Sequence, residues 1–208
     1  MTIEPDELLR LGAATLGESG GRPMAPRVRP VWVGAELAGP AFPVRCGRGD
    51  NLALHAGAAE APEGSVLCVS VEGDPDRGYW GEVLTTGAQA RGIAGLVIDA
   101  GVRDVAALER HRFPVFSAMV ALRGASKTDP GAVGTTATVG DVEVAAGDWL
   151  VGDRDGVVVI PAAGLEAAAQ AARARAEGEA ELFTRLRGGA TTVELLGLDT
   201  TGTERPPR

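Results

Sequence analysis

Glu82 and the adjacent pair Arg103-Asp104 are separated by one segment of helical spacing and one short apolar run. If a helix starts at Glu82, the backbone N–H groups of residues 82 to 84 have no acceptor within the helix, and the partial positive charge there suits a carboxylate. Arg103 adds a planar, two-pronged donor. Asp104 adds a hard carboxylate of the kind that holds Mg2+ or Mn2+. Together these groups fit a 2-oxo acid held by its carboxylate and keto oxygen. The same residues also have an ordinary reading, in which Arg103 and Asp104 are loop charges and Glu82 is a first-turn partner of the helix dipole.

The elements that would position these groups are readable. Gly81 suits a helix N-cap, and Val83, Leu84, Gly87, Ala88 and Ala90 give a thin apolar stripe before Gly92 stops the helix. Leu96-Val97-Ile98 reads as a strand buried on both faces, with Gly101 in the loop after it. A helix start and a strand end then meet at one crevice, the usual ligand position in open parallel sheets. Elsewhere the spacing predicts helices over Asp6 to Leu16 and Leu52 to Ala61, the latter capped by Asp50 or Asn51. Strands are expected at Val66 to Val69 and Phe113 to Phe116, with a helical turn from Val105 to His111 between the second of these and the crevice. Hairpins are expected around Gly140-Asp141 and Asp153 to Gly156. An Ala-, Glu- and Arg-rich helix runs from Gly164 to Leu186. Strands alternating with helices and then hairpins point to one mixed three-layer α/β domain over residues 1–198, with residues 199–208 a disordered tail.

Composition narrows the function classes. The chain has 208 residues, 45% of them hydrophobic, enough for a core without disulfides. Its net charge of −8 argues against nucleic acid or an anionic membrane as partner, since both require clustered Lys and Arg. The acidic start, Met1 to Asp6, is unlike a signal peptide, and no apolar run approaches membrane-spanning length, so a cytoplasmic location is expected. Cys46 and Cys68 lack CxxC spacing and read as buried free thiols. His55 and His111 lack the spacing of a zinc pair and read as structural or surface residues, and Asp50-Asn51 as a cap and loop pair.

The pattern Gly81-Glu82-Val83-Leu84 followed by Gly101-Val102-Arg103-Asp104 resembles the RraA-like family, which includes the 4-hydroxy-4-methyl-2-oxoglutarate and 4-carboxy-4-hydroxy-2-oxoadipate aldolases. The likeness extends to Pro30-Val31-Trp32-Val33-Gly34, Leu37-Ala38-Gly39-Pro40-Ala41, Gly49-Asp50-Asn51-Leu52, Phe113-Pro114-Val115-Phe116, Lys127-Thr128 and the run from Gly152 to Pro161. These blocks keep their order from about residue 10 to about residue 198. The resemblance implies a swivelling β/β/α architecture, usually assembled as trimers or hexamers. It implies a metal-dependent aldolase or decarboxylase that uses Mg2+ or Mn2+ and takes a small 2-oxo acid.

Both aldol cleavage and oxaloacetate decarboxylation leave the enolate of pyruvate, so an electron sink is needed, either a lysine imine or a metal. Lys127, the only lysine, lies in a turn-rich loop where a solvated lysine is the ordinary reading, which favours the metal route. Carried over residue by residue, the resemblance gives Gly81, Glu82, Val83 and Leu84 as substrate-binding, Arg103 as the substrate ligand and Asp104 as the metal ligand. Glu82 stands where the well-known aldolases have aspartate, and its expected role is to orient a metal-bound water that carries protons. Glu18 and Glu179 are further candidates, reaching a neighbouring subunit's crevice. The alternative class is a non-catalytic regulator of the RraA type, which lacks the motif aspartate that Asp104 retains here. A methyltransferase reading has no support, because no Gly-x-Gly-x-x-Gly loop follows an N-terminal strand.

Overall fold

The structure, a computed structural model, describes residues 3–204. In place of the single helix expected from Asp6 to Leu16, the chain forms α1 (Pro5–Leu11) and α2 (Ala13–Gly17). Gly12 parts them at φ 81° and ψ 152°, values no helix can contain, and Ala13 N–H donates to Asp153 Oδ2 at 2.7 Å instead of to a helical carbonyl. Two short strands follow, β1 (Arg22–Pro23) and β2 (Arg29–Pro30).

The next strand, β3 (Leu37–Cys46), opens a series of crossovers: α3 (Leu52–Glu60) leads to β4 (Val66–Val71), and α4 (Glu82–Ala90) leads to β5 (Gly95–Val102). The last of the series passes through α5 (Val105–Arg110) to β6 (Val115–Val120). Strands β3 to β6 pair in parallel in chain order. The runs Val66 to Val69 and Leu96 to Ile98 are wholly buried, as central strands covered on both faces must be. A register shift between Ile98 and Gly101 carries β5 beyond the short strand expected and delivers the chain to Arg103.

The later part of the chain supplies β7 (Ala132–Val133) and two hairpins, β8 (Ala137–Val139) with β9 (Val142–Val144) and β10 (Trp149–Asp153) with β11 (Gly156–Ile160). Gly140 and Asp141 both take positive φ, 53° and 63°, the signature of the turn that suits strand twist. Strand β10 pairs antiparallel with Leu37 to Pro40, whereas Ala41 to Cys46 pair with β4. Thus β3 belongs to two sheets, and the strand order runs β1-β11-β10-β3-β4-β5-β6-β2, with β7 beside β3.

Apolar clusters fill the gaps between layers. Leu54, Trp80, Leu108 and Phe113 pack beneath α3 to α5 against Val44, Leu67 and Ile98 of the parallel sheet. Its other face, with Val97 and Phe116, meets Leu150 and Val159 of the antiparallel sheet. This is the β/β/α layering of the expected swivelling α/β domain. The outer face of the antiparallel sheet is covered in turn by α1, α2 and the start of α6 (Leu165–Arg187), where Leu8, Leu16 and Ala169 meet Val151, Val158 and Ile160. Of α6 only Ala168, Ala169 and Ala172 are buried. Beyond it α7 (Thr192–Leu196), a helix not expected from the sequence pattern, opens with a capping box between Thr191 and Glu194. Of the tail expected over 199–208, residues 199–204 carry no helix or strand and 205–208 lie outside the described residues. No helix among the described residues is long and apolar enough to cross a membrane.

Candidate active site

The end of β5 runs alongside the chain entering α4. Trp80 and Val102 form a parallel bridge, and Arg103 N–H donates to the Trp80 carbonyl at 2.8 Å. Asp104 follows at φ 58°, in the left-handed region uncommon for a residue with a side chain. Although it stands at the N-cap of α5, its carboxylate does not cap that helix. Instead Oδ2 accepts the Glu82 N–H at 3.1 Å and so caps α4, with Arg103 Nε at 3.8 Å from the same oxygen. Gly81 permits this approach, because a Cβ there would lie 2.4 Å from Asp104 Oδ2. The other carboxylate oxygen, Oδ1, makes no hydrogen bond among the described residues.

Gly81, Val83, Leu84, Arg103 and Asp104 line one cleft of about 140 Å³. Larger hollows of about 360 and 370 Å³ lie elsewhere, and none of these motif residues lines them. The cleft also takes Asn51, His55 and Lys127, whose local sequence reads as a cap and loop residue, a structural or surface histidine and a solvated loop lysine. Lys127 is carried there by Asp50. That buried carboxylate accepts Leu52 N–H at 2.8 Å, Thr128 N–H at 2.6 Å and Ser126 Oγ–H at 2.7 Å, so it ties the start of α3 to the loop on both sides of Lys127. Burial alone would raise the Asp50 carboxyl, but these donors outweigh it and hold it well below the usual carboxylate range. Burial, and secondarily the charge of Lys127, lowers the His55 pKa below its ordinary value. Asn51 donates from Nδ2 to the Tyr79 carbonyl at 2.8 Å, while its Oδ1 is buried with no partner among the described residues. The signal that could have found Asn51 and Lys127 is the family resemblance itself, since Gly49 to Leu52 and Lys127-Thr128 are among the blocks that carry it, whereas His55 lies in none of them.

The remaining candidates fall outside the cleft. The Glu82 carboxylate turns toward the end of α5, with Oε1 at 3.3 Å from His111 Nε2 and 3.7 Å from Arg110 Nη2, so only its backbone meets Asp104. Glu18 and Glu179 are joined through Arg175, which contacts Glu18 directly and places Nε 2.9 Å from Glu179 Oε1. Neither lines the cleft of its own chain.

The donor set bears on which cation fits. Among the described residues no group of three or more His, Cys, Asp or Glu side chains converges as a metal cage. Among the described residues Asp104 is the sole carboxylate lining the cleft, and its side chain is 43% exposed. One half-exposed carboxylate suits Mg2+ or Mn2+, which keep most of their waters, and does not suit zinc, which takes three or four protein ligands.

Comparison with known proteins places the fold and the sequence family. The chain is 35% identical over 134 residues to a Halalkalibacterium halodurans protein provisionally named a 4-hydroxy-4-methyl-2-oxoglutarate aldolase; the match spans 64% of each chain. Among solved structures, an uncharacterized protein from Pseudomonas syringae pv. tomato superposes with a TM-score of 0.81 at 28% identity, covering 89% of both chains. RraAS2 of Streptomyces coelicolor, described as an unusual member of the RNase ES inhibitor RraA family, gives 0.70 at 27% identity, with 86% of this chain and 92% of that one covered. The sequence profile described as Aldolase/RraA matches residues 11–159. Fold, motif blocks and profile agree: the chain belongs to the RraA-like, Aldolase/RraA family.

Proposed function

We propose that this protein is a divalent-metal-dependent lyase that cleaves a carbon–carbon bond of a 2-oxo acid to leave the enolate of pyruvate. The substrate is a 4-hydroxy-2-oxo acid cleaved by retro-aldol reaction, or oxaloacetate decarboxylated, or both. The observation that carries the reading is the meeting of Arg103, Asp104 and the first turn of α4 at one cleft. The N–H groups of Val83 and Leu84 lie in that first turn, where a helix offers no acceptor, and they supply donors for the substrate carboxylate. Arg103 pairs with the oxygen on which charge develops as the bond breaks. A Mg2+ or Mn2+ ion held at Asp104 would supply a Lewis acid for the keto oxygen. Lys127 gives the cleft a further cation for the departing half of the substrate. The protein acts as a homotrimer or a dimer of trimers, with Glu18 or Glu179 serving the cleft of a neighbouring subunit.

Two other readings have specific support. The likeness to RraAS2 favours a non-catalytic regulator, and the presence of Lys127 in the cleft favours an imine in place of the metal. One set of assays separates all three. Purified protein is given Mg2+ or Mn2+ with oxaloacetate and a panel of 4-hydroxy-2-oxo acids, and pyruvate is read through lactate dehydrogenase. Pyruvate should form, should vanish with EDTA and with Asp104→Ala, and should return when metal is restored to the wild type. Absence of pyruvate from every substrate would support the regulator. Persistence of turnover after verified metal removal, with a borohydride-trapped adduct on Lys127, would support the imine.

A further inference from the structure

We infer that His111 is a positioning residue for the Arg103-Asp104 pair, acting through Glu82 as a latch between α4 and α5. The functional part of this inference rests on the metal-dependent reading above; the latch itself is geometric.

Asp104 and His111 flank the six-residue helix α5, Asp104 at its N-cap and His111 at its C-cap. Such a helix is about 9 Å long, and Glu82 is engaged near both of its ends. The Glu82 N–H donates to Asp104 at the start of α5, and the Glu82 carboxylate accepts from His111 Nε2–H at the finish. A second tie runs parallel to this one: Gln89 Nε2, near the far end of α4, donates to the His111 carbonyl at 2.8 Å. Below the latch Phe113 stacks on Trp80 at a centroid distance of 5.8 Å, so the chain leaving His111 is anchored beside the residue whose carbonyl accepts from Arg103. A carboxylate drawn to the end of α5 pulls the first residue of α4 toward that end while its backbone holds Asp104. The direction of the Asp104 carboxylate is therefore set by contacts on both sides of Glu82.

The partner that matters is His111 and not Arg110. Arg110 Nη2 is farther, at 3.7 Å, on a side chain 67% exposed, the kind of ion pair that contributes little. His111 is nearer, its ring 31% exposed, and its backbone is fixed by Gln89. Length is also specified. Aspartate at residue 82 would be one methylene shorter and could not reach His111 without shifting the start of α4.

The test uses the full-length protein and two readouts, amide exchange at Glu82 and Arg103 in 15N spectra, and Mn2+ affinity by EPR titration. His111→Leu should speed exchange at both amides and weaken Mn2+ binding by on the order of tenfold, the usual effect of losing an outer-shell partner. His111→Gln, which keeps a donor at similar reach, should restore both, and Glu82→Asp should resemble His111→Leu. Changes within about twofold in His111→Leu, no more than an exposed ion pair gives, would overturn the inference. So would failure of His111→Gln to restore them in a protein that melts normally. The exchange arm needs no metal. If Asp104→Ala binds Mn2+ as the wild type does, the metal reading fails and the latch is still decided by exchange.

Discussion

One added methyl at residue 81 measures how closely the start of α4 and Asp104 are fitted together. Gly81 sits at φ −166° and ψ −167°, extended backbone open to any residue, so alanine there meets no conformational strain. Its Cβ would however lie 2.4 Å from Asp104 Oδ2 and 3.2 Å from Arg103 Cγ. Asp104 must swing away and give up the Glu82 N–H, a lost cap of about 1 kcal/mol. Residual overlap adds about 1–3 kcal/mol, so Gly81→Ala should destabilise the protein by about 2–4 kcal/mol. Gly87→Ala, in the same helix, is the control: nothing lies within 4 Å of its Cβ. There the gain in helix propensity should stabilise the protein by about 0.5–1 kcal/mol. The two substitutions are chemically identical and should differ in sign. Urea unfolding followed by far-UV circular dichroism reads the stability, and an EPR titration should show Mn2+ affinity reduced on the order of tenfold or more in Gly81→Ala alone. If Gly81→Ala unfolds within about 0.5 kcal/mol of the wild type and binds Mn2+ equally well, Asp104 is not held where the argument needs it.

Three further outcomes are expected. Arg103→Lys keeps the charge and loses the planar fork, so turnover should fall on the order of a hundredfold, as for a lost oxyanion donor; an equal loss in Arg112→Lys would strip Arg103 of any special role. Asp50 has a folded pKa below its unfolded value of about 3.9, so its contribution is complete above that pH and is lost as pH falls through it toward the lower folded value. Asp50→Asn should then be less stable at neutral pH and lose stability less steeply on acidification below about pH 5, whereas parallel curves in a dichroism-monitored acid titration would contradict the assignment. Light scattering should find a trimer or hexamer, and Glu179→Gln should assemble normally yet turn over slowly; a fully active monomer would confine the chemistry to one chain's cleft.

What the sequence disclosed and what it withheld divide along the range of the contacts involved. The Gly140-Asp141 hairpin is legible because the turn demands positive φ, and α4 and β5 are legible because apolar spacing reports burial one residue at a time. Gly12 was legible as a residue but not as a break, since its backbone is decided by Asp153, far along the chain. Lys127 reads locally as a solvated turn residue. Its place in the cleft comes from hydrogen bonds between Asp50 and the loop at Ser126 and Thr128, which no local pattern encodes. Glu82 fails in the same way. Its position at the head of α4 follows from Gly81, but the direction of its carboxylate is chosen by His111 on another helix. The α7 helix is a different case, because Thr191 and Glu194 carry the capping-box spacing in plain view, and only the short length of the segment hides it.

The passage of β3 through both sheets has a consequence for synthesis on the ribosome. Residues through Val120 contain all four parallel strands and the three helices on their face, so this half can begin to organise as it emerges. Its first four strand residues, Leu37 to Pro40, then wait with unpaired backbone until Trp149 to Gly152 arrive, and the apolar face bearing Val97 and Phe116 waits with them. During that interval the nascent chain presents an open strand edge, the template on which neighbouring chains pair wrongly. The Asp153 to Gly156 turn lets β11 follow β10 at once, and β11 in turn takes up β1 from near the opposite end of the chain. Protease resistance of arrested nascent chains should therefore rise in a single late step, once Ile160 has cleared the exit tunnel, and not gradually as each crossover is completed.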